Sequence, residues 1–299
     1  MYLGIFGHTA LDIILDVPKI PELDSSIGVK AKKIRFGGTG ANIARASSEM
    51  GVNVSLASFV GEDFPDDYHE ALKNSGVRTF DLKKVKNHNT PRCWIINDSD
   101  GNQIALIDQG PMDKTEKFNI QRRTVEKCDV LHIGTGDPGY YRKIFDHNEL
   151  KDKLIVFDPA QELEYMYEPK IFKDFLTKSD YFFCNETELK VALSYLERKS
   201  PEDILNWVDL LLVTKGAKGS TLYLEGKKID ISAHKPKKVV EPTGAGDAYR
   251  AGFYAARSRG YSLKESCEIG SVRASFSIES TGPQDNLVGW EEVIERYNN

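Results

Sequence analysis

Asp129-Val130-Leu131-His132-Ile133-Gly134-Thr135-Gly136-Asp137 is a short apolar run that stops in a turn of glycines and small polar residues. The same grammar repeats toward the C-terminus. The run 154–157 ends at Asp158, the run 180–184 ends at Asn185, and the run 209–213 ends at Thr214. Between and before them, residues 119–127, 138–146, 169–177 and 186–196 space their apolar positions as helices do. Short apolar strands alternating with helices predict an α/β fold, a mainly parallel sheet covered on both faces. In such sheets ligands bind beyond the carboxyl ends of the strands, so the polar residues that end each run mark a common rim.

Toward the N-terminus, residues 2–6 form a first strand, followed by a turn over Gly7–Asp12. Extended runs at 13–17, 29–35, 92–97 and 103–107, separated by turn-rich segments, predict a second, small sheet. Strands at 54–58 and 79–82 and a helix over 64–74 rejoin the main pattern. On the C-terminal side, 220–224 and 228–232 read as a hairpin turning at Glu225-Gly226, followed by helices at 244–258, 262–279 and 289–297. The expected organisation is one α/β domain over 1–299, with a small β lid formed by about 13–36 and 90–108.

The 299 residues are 40% hydrophobic and 28% charged, with a formal net charge of −5. That balance offers no footprint for nucleic acid or an anionic membrane, so a small molecule is the expected partner. Cys93, Cys128, Cys184 and Cys267 form no CxxC pair, and the six histidines show no ligand spacing, which speaks against catalytic zinc. Met1–Gly7 lacks a basic lead and a long apolar run, and no stretch approaches the ~20 apolar residues of a membrane span. A cytoplasmic protein is expected.

Glu241-Pro242-Thr243-Gly244-Ala245-Gly246-Asp247 carries the sharpest chemistry. A Gly-Ala-Gly turn opening a helix aims backbone N–H groups at one spot and favours an anion there. Asp247 falls in the first helical turn, where a carboxylate beside an anion is costly unless it has a task. Accepting a proton from an attacking hydroxyl is such a task, and capping the helix is the plainer alternative for Thr243 or Asp247. An ordinary carboxylate pKa of ~3.9 would keep Asp247 ionised at neutral pH. Phe36-Gly37-Gly38-Thr39-Gly40-Ala41-Asn42 is a second glycine-rich turn feeding a helix. It admits a ligand close to the main chain, with Asp12 and Asn42 to bind hydroxyls, or else it serves tight helix–strand packing. Asn185 and Glu188, three apart at a helix start, suit a hydrated magnesium ion or a capping pair. In Thr214-Lys215-Gly216-Ala217-Lys218-Gly219 the glycines let a flat ring lie against the backbone.

These four motifs, in this order, resemble the ribokinase-like (PfkB) family of carbohydrate and nucleoside kinases, and the resemblance spans nearly the whole chain. Leu131–Pro138 and Asp247–Phe253 are most similar to its archaeal nucleoside-kinase branch. The resemblance implies a ribokinase-like three-layer sandwich with a mainly parallel central sheet and a small β-sheet lid. It also implies an ATP- and Mg2+-dependent phosphotransferase in which Asp247 is the base and the amides of Gly244, Ala245 and Gly246 form the anion hole. Asp12, Gly37, Gly38 and Asn42 would bind the acceptor, with Asp137 and Asp158 as further polar groups of its rim. Asn185 and Glu188 would organise magnesium, and Asn185, Thr214, Lys215, Gly216 and Gly219 would border the nucleotide. The chain departs from the family at Glu241-Pro242, where the family commonly has Asp-Thr as part of a monovalent-cation site. Potassium activation is therefore not carried over.

The expected reaction is transfer of the γ-phosphoryl group of ATP to the primary (5′) hydroxyl of a ribonucleoside. The alternatives are a kinase of a free sugar or sugar phosphate and, from another class, a catalytically silent ligand sensor. A phosphorylated acceptor would need cations such as Lys30, Lys32, Lys33, Arg35 or Arg92, whose alternative on alternating lid strands is plain solvation. A nucleobase would need apolar contacts such as Ile13, Phe36 or Trp94, residues that core or dimer packing would equally use. A dehydrogenase fails because no strand–GxGxxG–helix unit is present. An exposed lid sheet predicts a homodimer.

Overall fold

Two sheets organise the chain in a computed structural model that describes residues 1–299. In chain order the elements are β1 (Tyr2–Phe6), β2 (Ala10–Asp16), β3 (Ala31–Gly37), α1 (Thr39–Glu49), β4 (Asn53–Gly61), α2 (Asp66–Asn74) and β5 (Arg78–Val85). There follow β6 (Arg92–Asn97), β7 (Gln103–Asp108), α3 (Arg122–Lys127), β8 (Val130–Ile133), α4 (Pro138–Phe145), β9 (Leu154–Phe157), α5 (Leu163–Met166) and α6 (Pro169–Leu176). The chain ends with β10 (Tyr181–Asn185), α7 (Glu186–Tyr195), β11 (Leu210–Thr214), β12 (Ser220–Leu224), β13 (Lys227–Ile231), α8 (Ala245–Ser258), α9 (Leu263–Ile278) and α10 (Trp290–Asn298).

Nine strands form the central sheet in the order β13-β12-β11-β10-β9-β8-β1-β4-β5. It is parallel from β11 to β5, and the β12–β13 hairpin adds an antiparallel edge. Leu210, Leu211, Leu212 and Val213 of β11 are all buried, as a strand covered on both faces requires. The two faces are separate cores. Residues of α1, α2, α8, α9 and α10 pack on one, and residues of α3 to α7 on the other. Small residues bring α8 and α9 close: a Cβ on Gly252 would lie 2.9 Å from the Gly270 Cα. The result is the expected three-layer sandwich. No helix is long and apolar enough to cross a membrane.

The second sheet, ordered β3-β2-β6-β7, is the lid. Its first strand begins earlier than the sequence suggests. Asp12 is not in a turn but inside β2, paired in register with Arg35 and Cys93, because the alternation already starts at Ala10. Strand alternation then sorts the lid residues. Asp12, Cys93 and Ile95 face the body, whereas Ile13, Ile34, Trp94 and Leu106 lie on the other face. That outer face leaves Ile34 56% and Leu106 55% exposed. Phe36 takes the packing role: it stacks on buried Tyr68, with centroids 4.2 Å apart, and packs half-buried against the core.

Candidate active site

Strand β1 pairs with β4 on one side and β8 on the other, and the chain builds outward through β4 and β5 before returning to β8, so the order of connection reverses there and leaves a crevice beyond the carboxyl ends. His8 follows β1 and Thr135 follows β8, and their side chains meet across it, Nδ1 to Oγ1 at 2.8 Å. The lid covers this crevice and α8 starts at its floor. Three adjoining cavities result. The first, of about 300 Å³, lies under the lid between Asp12, Asn42 and Asp247. The second, of about 260 Å³, is lined by Asp158, Asn185, Glu188, Thr214 and Arg250. The third, of about 510 Å³, runs from Thr214, Gly216 and Gly219 to Ala274 and Ile278 of α9. Gly246 lines all three, and Asp247 lines the first two.

The start of α8 explains that junction. Gly244 takes a left-handed conformation, φ 78°, which a side chain would strain, and no side chain caps the helix. The capping alternative is thereby removed, since the Asp247 carboxylate accepts a hydrogen bond from Asn42 Nδ2 at 2.8 Å instead. One expected member of the anion hole drops out. The Ala245 amide donates to the Pro242 carbonyl at 3.1 Å, so the free amides are those of Gly244, Gly246 and Asp247.

Electrostatics correct the expected state of Asp247. Burial pushes its carboxyl up to about 7, opposed by the Asn42 amide and the Arg250 guanidinium and reinforced by Asp158 and Asp12. Asp12 is likewise pushed up to about 7 by burial and by Glu241, against Arg35. A base poised near neutrality takes a proton more readily than one at the ordinary carboxylate value. One turn beyond Asp247, Arg250 lies buried and grips Asp158 with two bonds, Nε–Oδ2 at 2.7 Å and Nη2–Oδ1 at 3.2 Å.

The sequence profile of the "pfkB family carbohydrate kinase" matches residues 2–288. The chain belongs to this family of kinases. It is 38% identical over 295 residues to a nucleoside kinase of Methanocaldococcus jannaschii, a match covering 97% of this chain and 94% of that one. The crystal structure of the Methanocaldococcus jannaschii nucleoside kinase, described as an archaeal member of the ribokinase family, superposes with a TM-score of 0.91, covering 100% and 98% of the two chains at 38% identity. A nucleoside kinase of Methanothermobacter thermautotrophicus is 32% identical over 300 residues, covering 97% of this chain and 94% of that one. The protein is therefore a phosphotransferase with an alcohol group as acceptor.

Within this kinase several expected residues take other positions. Asp137 caps α4, its carboxylate accepting from the Gly139 amide at 2.8 Å and the Glu116 amide at 2.9 Å, because Pro138 at the first helical position leaves the cap to it. Asp158 lies in the second cavity, committed to Arg250, and not in the acceptor cavity. Lys215 turns to Asp230 at 3.7 Å and lines none of the three cavities. Gly37 does not line the acceptor cavity either. It leaves room for the Asp12 carboxylate, and its carbonyl accepts from Tyr68 Oη at 2.6 Å. Gly38, φ 89°, does line it, while packing closely on the His8 carbonyl and the Ala10 amide.

Asn185 and Glu188 take the capping reading of their pair. They form a reciprocal capping box and also line the second cavity. Glu188 is buried, and burial followed by the Asp158 charge raises its pKa. Asp158, Glu188 and Asp247 line this cavity around Arg250, and no three acidic, histidine or cysteine side chains converge there to ligate a metal directly, so a divalent cation would be held through its waters. His8, Gln109, Gln161 and Glu162 complete the acceptor wall and were not singled out in the sequence. Arg250 had a signal: it lies three residues after Asp247, on the same helical face, in a stretch otherwise of small and apolar residues.

Proposed function

We propose that this kinase transfers the γ-phosphoryl group of ATP to the primary 5′ hydroxyl of a ribonucleoside. The observation that carries the reading is the place of Gly246, whose backbone borders acceptor, phosphoryl and nucleotide cavities at once. The transferring group sits at the free amides of Gly244, Gly246 and Asp247, which stabilise charge on its oxygens. Asp247 takes the hydroxyl proton as the oxygen attacks. Arg250 supplies fixed positive charge behind the amides. Asp158 and Glu188, with Asn185 holding Glu188 in place, would hold Mg2+ through its waters, and the ion neutralises phosphate charge when bound. The adenine lies in the third cavity, walled by Ala217, Ala233, Val239, Ala274 and Ile278. Lid closure excludes water, the competing acceptor.

The acceptor cavity favours an uncharged substrate. Four carboxylates line it, from Asp12, Asp108, Glu162 and Asp247, and its single cation, Arg92, is bound to Asp63. Arg35 is bound to Asp285, so neither arginine is free for a sugar phosphate. Apolar contact for a nucleobase comes from Pro91, Ile95 and Ile107, which line the cavity where Ile13, Phe36 and Trp94 do not. The 38% and 32% identical relatives, both named nucleoside kinases, point the same way. A screen of nucleosides, free sugars and sugar phosphates with ATP and Mg2+ should give turnover of at least one nucleoside, with the phosphoryl group on its 5′ oxygen. Turnover confined to sugars or sugar phosphates would overturn the acceptor assignment.

The apolar outer lid face around Ile34 and Leu106 supports a homodimer through the lid. Sedimentation analysis should give twice the chain mass, and a monomer at micromolar concentration would rule the contact out.

A further inference from the structure

The segment between α9 and α10 touches the lid, the start of α8 and, through Gln284, α1 and α2. Arg35 of the lid donates to the Thr281 carbonyl and to Asp285, and Pro283 packs on Gly244 at the start of α8. Gln284 is buried between them, and both polar atoms of its amide are bonded, the nitrogen through each of its hydrogens. Its Oε1 accepts from Arg45 Nη1 at 2.6 Å. Its Nε2 donates to Asn42 Oδ1 at 2.7 Å and to Tyr68 Oη at 2.9 Å.

The polarity of this chain of bonds is forced from one end. A guanidinium can only donate, so the Gln284 atom facing Arg45 must be the oxygen. Its nitrogen then faces Asn42, which must present its own oxygen there. The Asn42 nitrogen is left pointing at Asp247 Oδ2, 2.8 Å away. Without Gln284 the Asn42 amide could turn over and set its oxygen against the carboxylate.

We propose that Gln284 is a positioning residue for Asp247, with Arg45 behind it. It locks the Asn42 amide so that one oxygen of Asp247 always receives a donor and the other is left to accept the substrate proton. The inference rests on Asp247 being the base. The groups facing Asp247 are Asn42 from α1, Arg250 from α8, Asp158 after β9 and Asp12 from β2. Of these, Gln284 controls Asn42.

Gln284→Glu tests this with little change of shape. A carboxylate keeps the Arg45 contact, so the fold is retained, but it cannot donate to Asn42. The Asn42 amide turns over, and the acid limb of the kcat profile moves up by about one pH unit, so kcat at pH 6 falls about tenfold while KM for the acceptor changes less. Gln284→Met, which adds no charge, should move the limb in the same direction. The double-mutant cycle with Asn42→Ala decides the route. If the shift vanishes in the Asn42→Ala background, Gln284 acts through Asn42. A shift that persists there is the field of the new charge and overturns the proposal, as does an unmoved limb in both single variants. Asp247→Asn, assayed alongside, separates the two levels: if it keeps wild-type turnover, the base assignment fails, and if it is inactive while the limb stays unmoved, only the role of Gln284 fails.

Discussion

Asp247→Asn is expected to lower kcat by about 10²–10⁴, with acceptor and nucleotide affinities changed only a few-fold. Asparagine keeps the shape of the carboxylate and still offers an oxygen to Asn42 Nδ2, so the pocket stays intact while the proton acceptor is lost. The wild-type enzyme should itself show this chemistry in its pH dependence. Because burial pushes the carboxyl up to about 7, kcat/KM should fall toward low pH with a midpoint near that value as Asp247 becomes protonated. The same shift has a consequence for stability. A carboxyl whose pKa is higher in the folded chain than in the unfolded one favours the fold at low pH, and that favour is lost as pH rises from the unfolded value toward about 7. Asp247→Asn should therefore raise Tm at pH 8 and leave it nearly unchanged at pH 4. Steady-state kinetics, calorimetric binding and thermal melts at the two pH values test all three effects. Near wild-type turnover in this variant would remove Asp247 from the mechanism.

Much of the architecture was readable because local signals agreed with the global fold. Gly51, Gly76 and Gly260, all at positive φ, end α1, α2 and α8 where the helical spacing ends. Strand β11 declares itself by four consecutive buried aliphatic residues. Errors arose where a residue's partner is set by the assembled backbone, whether far along the chain or within the same turn. Asp12 reads as a turn residue until β3 and β6 are seen to pair on either side of it. Ala245 reads as a free amide until the Pro242 carbonyl is found beneath it. Asp137 and Asp158 look alike, each ending a strand, yet the first caps its own helix and the second meets an arginine 92 positions away. The pKa of Asp247 had no local signature either, because burial under the lid is a property of the assembled site. Gln284 shows the limit most clearly: Pro283-Gln284-Asp285 resembles any polar loop, and its meaning lies in Asn42, 242 positions away.

Arg250→Met should damage stability and catalysis together, and a second substitution should separate the two. Arg250 and Asp158 are 6% and 4% exposed, and removing one partner of such a buried pair leaves an uncompensated charge at a cost of about 3–5 kcal/mol. Here the cost is compounded, because Asp158, Glu188 and Asp247 would then share the second cavity without its one cation. Adding Asp158→Asn removes the stranded charge, so the double variant should recover a large part of the lost stability in denaturant unfolding. It should not recover activity. Arg250 is among the groups that hold down the pKa of Asp247, and it places fixed positive charge behind the amides of Gly246 and Asp247. Both the single and the double variant should lose kcat on the order of 10² or more, the scale of removing one preorganised electrostatic group from a transition state. Restored stability with restored turnover would mean that the pair is structural. Restored stability without turnover, in excess of the turnover lost by Asp158→Asn alone, would place Arg250 in the catalytic electrostatics, since by then neither the fold nor the loss of Asp158 is in question.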